Sequence, residues 1–134
     1  AWAKSAYGPD RLTLATNPVW PEELVKLRME WAGIDPAIFG WISHAGIMHA
    51  CKPTPDYYLE VLAARGLEAR ECALIGNDLK MDLPATRVGI PVLIVSDSPR
   101  LRALPVPKGS APAWRGSLLA IQRAFEHCAP IGIR

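Results

Sequence analysis

The sequence predicts an α/β domain: a mainly parallel sheet with helices on both faces. Two observations carry that prediction. Short apolar runs alternate with segments of helical spacing, strand then helix, four times over, which is the order of βαβ units. The clearest run, Leu74-Ile75-Gly76, breaks abruptly into Asn77-Asp78, with another acid at Asp82. Buried strands of parallel sheets end this way when their C-terminal edge carries a site.

Each element has a local reason. Arg11 to Thr16 reads as a short strand closed by Asn17-Pro18, because the residue before proline is pushed out of the helical region. Pro21 suits the first turn of a helix, and Glu22 and Glu23 are favourable near its positive end. Leu24, Leu27 and Trp31 recur at helical spacing and Gly33 stops them. Asp35-Pro36 opens a short turn to Phe39, and Trp41 to His44 is a brief strand. Thr54 is placed as an N-cap with Pro55 at the first helical position. Tyr58, Leu59, Leu62 and Ala63 are the expected apolar face of that helix, and Gly66 ends it. Cys72 to Gly76 is the next strand, Met81 to Val88 a helix closed by Gly89, and Pro91 to Val95 a β-branched strand. Ser98 to Ala113, rich in proline and basic residues, reads as an ordered loop or linker. Leu118, Ile121 and Phe125 mark a final amphipathic helix. Right-handed crossovers would bring Thr16, the loop before Lys52, Asp78 and Ser96 to one edge of the sheet.

Composition bounds the function. The 134 residues are enough for one domain with a real core, and 21% charged residues is ordinary for a globular protein. A formal charge of +2, without a Lys/Arg cluster, argues against a nucleic-acid partner. No apolar run approaches 18 residues, which argues against a membrane span, and Ala1-Trp2-Ala3-Lys4-Ser5 is not a signal sequence. Cys51, Cys72 and Cys128 are odd in number and lack CxxC spacing, so a reducing cytoplasm is the expected location. The start lacks an initiator Met and reads as the end of a helix or a loop, which suggests an upstream segment. His44, His49 and His127 have no metal-ligand spacing. Cys51 beside Lys52 lacks a legible partner base. Trp2, Trp20, Trp31, Trp41 and Trp114 read as core or interface residues, with Trp20 a candidate for the mouth of a site. Arg100, Arg102 and Lys108 lie among prolines and read as a solvated loop.

Three stretches carry chemistry: Leu14-Ala15-Thr16-Asn17-Pro18, Lys52-Pro53 followed by Pro55 and Tyr58, and Leu74-Ile75-Gly76-Asn77-Asp78 with Asp82. They supply a hydroxyl, an ammonium and a carboxylate pair in an order that suits binding and transferring a phosphoryl group. Alone, each has a bland reading: a turn-bonding strand end, a solvated loop lysine, and cap and first-turn acids of a helix. Jointly, from about Arg11 to Val95, they resemble the second, third and fourth motifs of the haloacid dehalogenase-like (HAD) hydrolase superfamily. Most of its members are Mg²⁺-dependent phosphatases.

The resemblance implies a Rossmann-like three-layer α/β/α core with a mainly parallel sheet, of which these residues are the later portion. It implies catalytic roles for Lys52 and Thr16 and substrate binding by Thr16, Asn17 and Lys52. It also implies Mg²⁺ held by Asp78, Asp82 and Asn77, with a small phosphorylated molecule as substrate. Lys52 would offset the charge of the phosphate, which otherwise repels an attacking carboxylate. Thr16 and the N–H of Asn17 would bond phosphoryl oxygens, and Mg²⁺ would neutralise the transferring group.

Two departures matter. The opening Asp-x-Asp motif, which carries the covalent nucleophile, is absent: Asp10, Asp35, Asp56, Asp78, Asp82 and Asp97 never have that spacing. An aspartyl-phosphate route therefore needs a nucleophile outside these residues, together with any cap domain placed between the first two motifs. Asn77 stands where many relatives have the motif's first acid. The rival readings are a non-catalytic domain binding a phosphorylated ligand or a protein partner, and a haloacid dehalogenase. The Asp78/Asp82 pair speaks against the last. A missing central strand would leave unpaired edges, which favours association with a second copy or with an N-terminal segment.

Overall fold

The computed structural model describes residues 2–128. They form two compact units, Ala1–Cys51 and Lys52–Arg134.

In the first unit, α1 (Trp2–Tyr7) leads to β1 (Thr13–Leu14), α2 (Glu22–Trp31) and β2 (Trp41–Ile42). β1 and β2 pair in parallel, Thr13 opposite Trp41 and Leu14 opposite Ile42. β1 is thus shorter than the run Arg11 to Thr16 suggests. Pro21 sits one position outside α2, where its carbonyl accepts from Leu24 and Val25 N–H. Glu22 pairs with Lys26 at 2.6 Å, and that hydrogen bond and charge hold its carboxyl below the usual range. Gly33 leaves the helix at φ +71°, a conformation glycine adopts without Cβ strain.

The buried face of α2 differs from the expected one. Val25 and Met29 pack with Ile42, Leu14 and Phe39, whereas Leu24, Leu27 and Trp31 are exposed, Trp31 by 76%. Both stripes satisfy a 3.6-residue period. Periodicity therefore establishes the helix but not which stripe the small β1–β2 ribbon covers.

In the second unit, α3 (Pro55–Arg65), β3 (Leu74–Gly76), α4 (Leu79–Asp82), β4 (Val92–Val95), β5 (Arg102–Leu104), β6 (Ala113–Gly116) and α5 (Leu118–Cys128) follow one another. The strand order is β3-β4-β6-β5. β3, β4 and β6 are parallel and β5 is antiparallel to β6. The fold is α/β with a mixed, mainly parallel sheet. Instead of one continuous sheet, the strands fall into a two-stranded and a four-stranded piece. Val92, Leu93 and Ile94 of β4 are buried on both faces, as an internal parallel strand requires.

Several expectations change here. Thr54 takes the N-cap position of α3 with Pro55 inside the first turn, but its side chain makes no cap hydrogen bond. Tyr57 and Tyr58 are the buried residues of α3, while Leu59 is 50% exposed and Ala63 is exposed. The helix expected from Met81 to Val88 begins two residues earlier and tightens into a 3₁₀ segment over Leu83–Val88. Pro84, which cannot donate a main-chain hydrogen bond, sits at that change. The expected loop Ser98 to Ala113 contains β5 and the start of β6. In α5, Ile121 is fully buried and Phe125 half-buried, whereas Leu118 in the first turn is exposed. Among the described residues, no helix is long and apolar enough to cross a membrane.

Candidate active site

Everything at the end of β3 turns on Asp82. Its residue is 4% exposed. Its Oδ2 accepts the backbone N–H groups of Asn77 and Asp78, each at 3.1 Å. Its Oδ1 takes the Lys52 ammonium at 2.7 Å. The carboxylate thus folds back under the turn that follows the strand. Gly76 is needed for this approach, because a Cβ there would overlap the Asp82 carboxylate. Asp78 caps α4: its Oδ1 accepts from Lys80 N–H at 2.8 Å and Met81 N–H at 3.1 Å. A carboxylate in that place bonds two of the helix's orphan donors. Asn77 and Asp78 are themselves exposed.

Lys52 reaches Asp82 from the segment just before α3, after which the Lys52–Pro53 peptide is cis. Its side chain is only 10% exposed and its Nζ lies 5.7 Å from the centre of the Tyr57 ring. Tyr57 and Tyr58 meet edge to face. The Tyr58 hydroxyl donates to the Met81 carbonyl, tying α3 to α4. Burial first, then the negative charge of Asp82 and the neighbouring Tyr57, push the Tyr58 phenol well above its ordinary value. The lysine and acidic motifs, 30 residues apart, therefore meet in one buried ion pair. Sequence spacing alone pointed to Tyr58 and missed Tyr57 as the wall of that pair.

Beside this turn a polar groove of about 610 Å³ is lined by Asn77, Val95, Ser96, Asp97, Ser98, Arg102 and Arg115. Ser96 follows the end of β4, as expected of a site residue on a parallel sheet edge. Arg102, assigned from sequence to a solvated loop, and Arg115 went unrecognised because the β5–β6 pairing that joins them has no turn signature.

Thr16 and Asn17 lie in the first unit, both half-buried, just beyond β1. Ser43, fully buried after β2, donates its hydroxyl to the Thr16 carbonyl at 2.7 Å, and the Asn17 carbonyl accepts from Val19 N–H at 2.9 Å. Ser43 thus fixes the strand end that presents Thr16. Its signal in the sequence was only a small hydroxyl residue after Trp41-Ile42. Trp20 lines an apolar groove of about 500 Å³ with Leu24, Leu27, Arg28, Trp31 and Ala32. Cys51 is exposed, and burial raises the Cys72 thiol, with Glu71 adding to the shift. Among the described residues, no three His, Cys, Asp or Glu side chains gather as a metal cluster does.

No protein-family profile matches the chain. In structure it is similar to a HAD phosphatase from Thermococcus onnurineus, with a TM-score of 0.61 at 20% identity, over 86% of this chain and 50% of that one. In sequence it is 28% identical over 128 residues to the plasmid protein CbbY of Cupriavidus necator, covering 92% of this chain and 44% of that protein. The chain therefore spans half or less of the length of the relatives it matches. The structural likeness, at 20% identity, is one of fold, and the sequence likeness is to CbbY at 28% identity.

Proposed function

We propose that these residues are the lysine- and acid-bearing portion of a phosphatase that hydrolyses a small phosphorylated molecule through an aspartyl-phosphate, with the nucleophilic Asp outside this chain. The buried Lys52–Asp82 pair carries the reading. A buried ion pair seldom adds much to stability over an apolar contact, yet this one joins the two motifs whose charges phosphoryl transfer requires. The end of a parallel strand, where it lies, is where such sheets bind ligands. Among the described residues β3 is hydrogen-bonded to β4 alone, and Ile75 is 43% exposed. The open edge of β3 is free to take a further parallel strand carrying the nucleophile.

In this reading each side chain has a stated task. Lys52 places a positive charge next to the phosphate, and Asp82 fixes the ammonium so that it does not swing away into solvent. Thr16 donates its hydroxyl, and Asn17 its N–H, to phosphoryl oxygens. Asp78 and Asn77 are exposed oxygen donors of the kind Mg²⁺ prefers. Both oxygens of Asp82 are hydrogen-bonded, which holds the Asn77-Asp78 turn, and Asp82 would help hold the ion directly or through water. The donor set fits Mg²⁺ once waters, the phosphate and an acid outside this chain complete it. Bound there, the ion supplies neutralisation of the charge on the transferring group.

A second reading keeps one observation of its own. Asp82 is saturated, and Asp78 spends one oxygen on capping α4, an arrangement that also suits a domain that binds a phosphorylated ligand without turning it over. Kinetics on the gene product that contains these residues separates the two. With Mg²⁺ and a panel of phosphate monoesters, Lys52→Ala and Asp78→Asn should each lower kcat/KM by about 10²–10³-fold, the scale of losing one group that stabilises the transition state. Phosphate release unchanged in both variants removes these residues from the mechanism. Tight binding of esters without turnover favours the binding domain.

A further inference from the structure

From the groove beside Asn77 we infer a second anion subsite. Building on the phosphatase reading, it makes the substrate a phosphate monoester that carries another oxyanion, a carboxylate or a further phosphate. Arg102 and Arg115 are direct partners across the antiparallel β5–β6 pair. Residues so paired project from the same face, with their Cβ atoms about 5 Å apart, and like charges directly opposite one another are destabilising. Both arginines are exposed, and among the described residues neither has an ion-pair partner. Two guanidiniums held together without a carboxylate between them make a fork that matches the paired oxygens of a phosphate or carboxylate.

The rest of the groove suits the same ligand. Ser96 follows the end of β4, and its Oγ accepts from Ser98 N–H at 3.4 Å, so its own proton is left to donate outward. The Ser98 hydroxyl is spent on the Arg100 carbonyl at 2.9 Å. Asp97 is the one acid in the lining. It is exposed, and against two arginines it leaves the groove net positive. Asn77 belongs both to this groove and to the turn held by Asp82. One ligand can therefore place a phosphoryl group at the turn and its other anionic end between the arginines.

Inorganic phosphate is the probe, titrated into the 134-residue chain while the Nε–H signals of the arginines are followed by NMR. Saturable shifts at Arg102 and Arg115 and at the Asn77 and Ser96 backbone amides that line the same groove, with the affinity read from those amides weakened at least tenfold in the Arg102→Gln/Arg115→Gln double variant and unchanged in Arg70→Gln, support the subsite. Absence of a saturable shift at either arginine, or an affinity unchanged by the double substitution, overturns it. For the substrate, the double variant of the gene product should raise KM at least tenfold for monoesters bearing a carboxylate or a second phosphate and leave p-nitrophenyl phosphate unaffected. An equal rise for both overturns the assignment to substrate. Saturable binding at the arginines with no phosphate release from any ester overturns the hydrolase reading and leaves the anion groove standing.

Discussion

Asp82 does three jobs at once: it neutralises Lys52, it closes the Asn77-Asp78 turn, and it fills the space that Gly76 leaves open. Removing one member of such a pair strands a buried charge and costs about 3–5 kcal/mol. Asp82→Ala should therefore lower the unfolding free energy of the chain by that order, measured by urea titration. The Lys52→Met/Asp82→Leu double variant should recover much of the loss. A double variant no more stable than Asp82→Ala would mean that the turn hydrogen bonds, not the charge pair, dominate. Tyr58 gives a pH signature with a definite sign. An unfolded tyrosine loses its proton near pH 10, whereas the folded Tyr58 phenol is held protonated well above that by burial and by Asp82. Above about pH 10 the unfolded state then binds fewer protons, so stability falls as pH rises. Tyr58→Phe should flatten that decline in a pH series of urea midpoints. At this scale the sequence was most legible: Lys52, Asp78 and Asp82 stand out by type and spacing. Tyr57, Ser43 and Arg115 do not, because nothing local marks a residue whose role is set by a partner far along the chain.

Among the elements, α2 separates what periodicity tells from what it does not. The spacing of Leu24, Leu27 and Trp31 located the helix, but the face that packs belongs to Val25 and Met29. Met29→Ala should cost about 2–5 kcal/mol as a buried truncation. Trp31→Ala should stay within about 0.5 kcal/mol, as exposed positions do. The reverse order, in thermal or urea unfolding, would put the Leu24 stripe in the core. The β5–β6 pair was illegible for another reason. Arg102-Ala103-Leu104 and Ala113-Trp114-Arg115-Gly116 show little alternation, and eight residues, Pro105–Pro112, separate them. No tight-turn chemistry announces a hairpin of that length. The helix after β3 was found, but its start was read two residues late: Asp78, assigned to metal, is also the cap that begins it.

The whole molecule is an α/β chain whose strands fall into two sheet pieces, one per compact unit. Alternation of strand and helix was enough to foresee the class and the parallel pairing, because each βαβ step is local. It could not foresee the break in the sheet, which depends on which strands lie side by side. The central claim is that the turn after β3 handles a hard cation beside a phosphate. Mn²⁺, an oxygen-seeking paramagnetic stand-in for Mg²⁺, tests it most directly when titrated into the isotopically labelled chain with phosphate present. The amide signals of Asn77, Asp78 and Lys80 should broaden before any others, and Asp78→Asn should abolish that preference. Broadening that begins elsewhere, or that persists at Asn77 in the Asp78→Asn variant, would contradict the claim.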